Sequence, residues 1–122
     1  MILVDTTVRG EPVVFARPRF TAGGKPYQDA EYRAARDALS WELRGARKGK
    51  APAGVEVRVR ATFFRSTART VDLDNLIKAV LDAGNEVLWD DDKQVFHIDA
   101  RKVLGVGVRH ACTRLIITTM ED

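Results

Sequence analysis

Val55-Glu56-Val57-Arg58-Val59-Arg60-Ala61-Thr62-Phe63-Phe64 alternates apolar and polar side chains over most of its length. Successive side chains of an extended chain point to opposite faces, so this stretch is predicted as a strand with one face in a core and one in water. A helical period appears on either side of it. Upstream, Asp29 is placed to cap a helix running to about Arg44, because Tyr32, Ala35, Leu39 and Leu43 recur at steps of three and four. Downstream, a second helix is predicted to begin near Asp74 and to bury Ile77, Val80, Leu81, Val87 and Leu88, with Gly84 weakening its last turns.

The outer segments are β-prone. Residues 2–15 read as two short strands turned at Gly10-Glu11-Pro12, and residues 95–103 and 112–119 as two more, joined through Leu104-Gly105-Val106-Gly107-Val108 as a terminal hairpin. Residues 16–27, with Pro18, Gly23, Gly24 and Pro26 among Arg17, Arg19 and Lys25, form an exposed basic loop. Residues 45–54 are expected to be a flexible linker, because they combine glycines and Pro52 with basic side chains. Phe20, Phe64 and Phe96 are expected in the core. The element order implies an α+β fold, a small mixed β-sheet with two main helices, in a single domain over residues 1–122.

The chain has 122 residues, 45% hydrophobic and 30% charged, which suits one globular domain. The net charge of +3 is less informative than its distribution. Arg44, Arg47, Lys48 and Lys50 have no acid among them, and Arg58, Arg60, Arg65 and Arg69 share their window with Glu56 alone. Acids then gather between Asp72 and Asp99. Cations that hold a polyanion, followed by carboxylates that hold metal, suit a phosphate-cleaving enzyme. Cys112 is the lone cysteine, which excludes an internal disulfide and a cysteine zinc site. No signal peptide or membrane-spanning run is read, so a soluble cytoplasmic protein is expected.

Asp72 and Asp74 lie two apart, and on an extended segment their carboxylates face the same way. With helix onset at Asp74, Lys78 stands one turn on, about 5 to 6 Å away at Cβ. Asp92 follows Trp89 in the run Asp90-Asp91-Asp92 and completes a magnesium-type donor set if it folds back beside the first pair. Spacing alone leaves blander roles open. Asp74 can cap the helix, residues 90–92 can form a solvated turn, and Lys78 can pair with Asp74 or Asp82. His97 and His110 lack ligand-like spacing.

The two acidic segments together are more specific. Val71-Asp72-Leu73-Asp74-Asn75-Leu76-Ile77-Lys78, followed by Leu88-Trp89-Asp90-Asp91-Asp92-Lys93-Gln94-Val95, resembles the signature of RusA-type Holliday junction resolvases, Asp-x-Asp-Asn-x-x-Lys and then Asp-Asp-x-Gln. The likeness extends to Ala16-Arg17-Pro18-Arg19-Phe20-Thr21 and the strand-rich ends. It implies an α+β homodimer that cuts four-way DNA junctions by paired nicking in recombination and repair, in a bacterium or a phage-infected cell. It assigns catalysis to Asp72, Asp74, Asp92 and Lys78, and a Mg²⁺ site, with Mn²⁺ as substitute, to Asp72, Asp74 and Asp92, with Asp91 the competing ligand. No organic cofactor and no membrane are implied. Arg17, Arg19, Lys25, Arg47, Lys48, Lys50 and Arg69 are the candidates for DNA backbone contact. Gly84 and Glu86 depart from the family pattern, which usually has an apolar residue and a glycine there, and Asp90 lengthens its acidic pair. The alternatives are a nuclease for other branched DNA or RNA, and a junction-binding module that does not cut.

Overall fold

In the computed structural model, which describes residues 1–120, the alternating stretch becomes strand β4 (Val57–Phe64). Its Val57, Val59, Ala61 and Phe63 are buried, while Arg60 is exposed. Before it come β1 (Ile2–Arg9), β2 (Arg19–Phe20), β3 (Pro26–Tyr27) and helix α1 (Ala30–Ala46). After it come helix α2 (Leu73–Gly84), β5 (Val95–Val103) and β6 (Cys112–Thr119). The main sheet has the order β1-β6-β4-β5. β6 is antiparallel to both its neighbours, and β4 and β5 are parallel. Two helices on a mixed sheet make the α+β architecture expected from the sequence.

The terminal hairpin is not formed. β5 and β6 do not pair with each other; β4 lies between them. A parallel neighbour for β4 needs a long crossover, and α2 supplies it. The helices cover one face of the sheet. Leu39 and Leu43 of α1 and Leu76, Val80 and Ala83 of α2 meet the inward side chains of β4, Leu115 and Ile117 of β6, and Leu3 and Val4 of β1 in one core cluster. α1 and α2 are also tied by Ser40, whose hydroxyl donates to the Ala83 carbonyl at 2.8 Å.

Four local expectations are corrected. Residues 13–15 are not a strand; Val13 and Val14 lie against the core, and the nearby pairing is the two-residue ladder of β2 with β3 inside the basic loop. Residues 45–54 are not a free linker. Their first two residues finish α1, the Lys48 amide donates to the Leu3 carbonyl at 2.7 Å, and buried Ala51 donates to Leu88 at 2.8 Å. Val87 and Leu88 are buried as expected but lie beyond the end of α2. Phe20 and Phe96 are exposed rather than core, at 68% and 65%, because the first sits on the small hairpin and the second on the edge strand β5.

Candidate active site

The start of α2 is held from two sides. Lys102 of β5 donates from Nζ to Thr70 Oγ1 at 2.7 Å and to the Val71 carbonyl at 2.6 Å. Arg65, just past β4, donates to the Arg69 carbonyl at 2.7 Å. Asp72 then occupies the cap position with extended backbone, yet its side chain makes no capping bond. Asp74 sits in the first turn, where the helix N-terminus favours an anion. Both aspartates are exposed, and neither carboxylate has a hydrogen-bond or ion-pair partner among the described residues. Two neighbouring carboxylates with free oxygens are a donor set that suits a hard divalent cation.

Lys78 takes neither acid at its four-residue neighbours. Its Nζ stands 5.1 Å from the centroid of the Phe15 ring. Phe15 is fixed in turn: its amide donates to the Asn75 carbonyl at 2.9 Å, and its ring meets Tyr32 edge-on at 5.3 Å. The Tyr32 hydroxyl donates to Asp82 Oδ2 at 2.7 Å. Burial and then the Asp82 carboxylate raise the Tyr32 pKa, against a smaller opposing pull from Arg36, so the hydroxyl stays protonated. The basic loop begins at this support. Gln28 closes its base by donating to the Ala16 carbonyl at 3.0 Å, and Arg19 reaches Asp29 at 3.3 Å.

The second acidic segment is braced far more heavily. Trp89 is fully buried against Gly84, where an added Cβ would come within 2.6 Å of its ring. Buried Gln94 accepts from the amides of Asp90 and Asp91 at 2.8 and 3.1 Å and donates to the carbonyls of Pro52 and Val55 at 2.8 and 3.0 Å. Asp91 caps the following 3-10 turn by accepting from the Lys93 amide at 2.8 Å. Asp92 accepts from the Trp89 indole N–H at 2.8 Å. Burial raises the Asp92 pKa, and the charges of Asp82 and Asp91 add to the rise, while the indole bond opposes it.

β4 and β5 run parallel, so Asp92, just before β5, lies at the end of the sheet away from the one where β4 leads towards α2, and there the charge of Asp82 bears on it. Asp74 stands two turns before Asp82 on α2. Eight residues at about 1.5 Å each separate Asp74 from Asp82 by about 12 Å along the axis. Among the described residues no three His, Cys, Asp or Glu side chains gather closely enough to hold one metal ion. The structure brings Asp72, Asp74 and Lys78 to one end of α2 and Asp91 and Asp92 to the other.

The basic candidates divide by use. Arg47 donates to the Val87 carbonyl at 2.9 Å, Lys50 pairs with Asp90 at 2.8 Å, and Arg19 is engaged with Asp29. Arg17, Lys25, Lys48 and Arg69 are exposed, with side chains that have no such partner among the described residues. Sequence reading missed Lys102 altogether, and it placed Tyr32 merely on the apolar stripe of the first helix and Phe15 merely at the end of a strand. It named Asp82 solely as a partner for Lys78, and Gln94 solely as a motif letter. A groove of about 330 Å³ lined by Arg60, Asp99, Arg101 and Arg114 opens on the sheet face that the helices leave uncovered.

Comparison with protein families matches residues 9–117 to the family described as endodeoxyribonuclease RusA. The match spans both acidic segments and the basic loop. No curated protein matches the chain. No helix among the described residues is long and apolar enough to cross a membrane.

Proposed function

Since the chain belongs to the RusA endodeoxyribonuclease family, hydrolases of DNA phosphodiester bonds that act on Holliday junctions, we propose that its reaction is Mg²⁺-dependent and centred on the start of α2. The observation that carries this reading is the exposed, uncommitted pair Asp72 and Asp74, with Lys78 one turn on and the basic loop fastened beside them. Asp72 and Asp74 would hold the ion, with Mn²⁺ as a substitute. Asp92 is a second acidic station at the far end of the same helix, and Asp91 is primarily its structural cap. Bound Mg²⁺ supplies Lewis-acid activation of water and charge neutralisation at phosphate.

The chain's own residues do the rest. Lys78 offsets charge that builds on the phosphate oxygens. Arg17, Lys25, Lys48 and Arg69 contact the DNA backbone, so junction binding weakens as salt rises. A homodimer would present two such sites for paired incision, in recombination and repair.

The test is Asp74→Asn, measured for both binding and cleavage of a synthetic four-way junction. Cleavage is expected to fall by about a hundredfold or more in Mg²⁺, with binding within about twofold, because an amide is a poor substitute for a metal-binding carboxylate. Cleavage at the wild-type rate would overturn the assignment.

A further inference from the structure

The uncommitted charge of Lys78 has a structural cause. It has carboxylates at both four-residue neighbours, Asp74 and Asp82, and a lysine on an exposed helix face ordinarily leans on one of them. Here Asp82 is already bonded to the Tyr32 hydroxyl, and the Lys78 ammonium lies over the Phe15 ring instead. Phe15 belongs to no helix or strand, yet it is held by its amide bond to Asn75 and by its edge contact with Tyr32. The contacts thus run in a circuit from α2 through residue 15 to α1 and back to α2.

We propose that Phe15, backed by Tyr32, is a positioning residue that holds the Lys78 ammonium over its ring and away from Asp74 and Asp82, leaving its charge for the phosphate. An ammonium paired with a carboxylate has part of its charge offset before substrate arrives. Over a ring face it is attracted by the quadrupole but keeps its net charge and outward donors. Asp74 is likewise left free to hold a cation. Because Phe15 also starts the basic loop, DNA contact at Arg17 and the pose of Lys78 share one anchor.

This inference rests on the proposed site, so the experiment includes Asp74→Asn beside the Phe15 variants. Single-turnover cleavage and binding of a synthetic four-way junction are measured in Mg²⁺ for wild type, Phe15→Leu and Phe15→Tyr. The ε-methylene proton shifts of Lys78 are followed by NMR in the free protein. Phe15→Leu fills similar space without a ring. It is expected to lose about tenfold in cleavage rate, with binding within about twofold, and to lose the upfield ring-current shift. Phe15→Tyr restores both.

Tyr32→Phe keeps the ring but releases Asp82 to compete for Lys78, and is expected to lose about threefold in rate. It serves as the second variant should Phe15→Leu fail to fold. Wild-type cleavage by Phe15→Leu while Asp74→Asn is inactive overturns this inference and leaves the site standing. Wild-type cleavage by Tyr32→Phe, if Phe15→Leu cannot be folded, does the same. Full activity in Asp74→Asn overturns the site itself.

Discussion

The two acidic segments at opposite ends of α2 are built on opposite plans. At the start, Lys102 and Arg65 hold the backbone, while the carboxylates of Asp72 and Asp74 are left without partners among the described residues. At the far end nearly everything is committed: Trp89 to Asp92, Gln94 to four backbone groups, Asp91 to the turn it caps. The first arrangement keeps carboxylate oxygens available on a steady backbone. The second fixes the direction of a carboxylate by spending one of its oxygens on the fold. A motif of aspartates thus contains two kinds of acid, and only their hydrogen bonds distinguish them.

The sharpest way to break the braced end is Gln94→Ala. It removes four bonds at once, those from the Gln94 amide to the carbonyls of Pro52 and Val55 and those it accepts from the amides of Asp90 and Asp91, and is expected to cost about 3 kcal/mol in urea unfolding. A loss below about 1 kcal/mol would show that water replaces the glutamine and that the turn is not braced by it. Gly84→Ala comes next. The added methyl would stand 2.6 Å from the Trp89 ring, so the ring must move, at a cost of about 2 kcal/mol and with loss of the indole bond to Asp92. An unchanged indole N–H resonance in the variant would contradict this.

Asp92→Asn sharpens the comparison through pH. Burial and the nearby Asp82 and Asp91 raise the Asp92 pKa, so its charged form is less favourable in the folded chain than in the unfolded one. That cost is present above the raised pKa and absent below the ordinary carboxylate value of about 4. In metal-free buffer the variant is expected to melt above wild type near pH 7, with the gap closing as pH falls below about 4. A gap independent of pH would rule out this origin. The smallest effect is Glu86→Gly. Glu86 has φ of 67°, where a side chain is strained, and glycine should gain up to about 1 kcal/mol in unfolding free energy. A measurable loss would show that Glu86 makes a compensating contact.

The departures at positions 84 and 86 also show what sequence could and could not say. A glycine late in a helix pattern reads as weakness, yet Gly84 is where Trp89 packs flush against the last residue of the helix. Position 86 lies in the left-handed region, where the glycine that the resemblance leads one to expect would sit without strain and this chain's glutamate does not. Residues 45–54 looked free because their composition is flexible; their anchors are backbone bonds to Leu3 and Leu88, which no local pattern encodes. The core phenylalanines failed for a similar reason. Apolar side chains on an edge strand or hairpin remain exposed when no element covers them.

Local chemistry along the chain was enough to determine the strand at β4, both helices and the α+β class, and to put forward the acids of the proposed site, because side-chain periodicity and motif order are properties of neighbours in sequence. The tertiary structure alone decided that β5 lies parallel to β4, that Asp92 lies towards the opposite end of α2 from Asp72 and Asp74, and that Lys78 rests on Phe15. Each of these depends on which distant segments meet, and the burial and hydrogen bonding that select those meetings belong to the whole core rather than to any stretch of it.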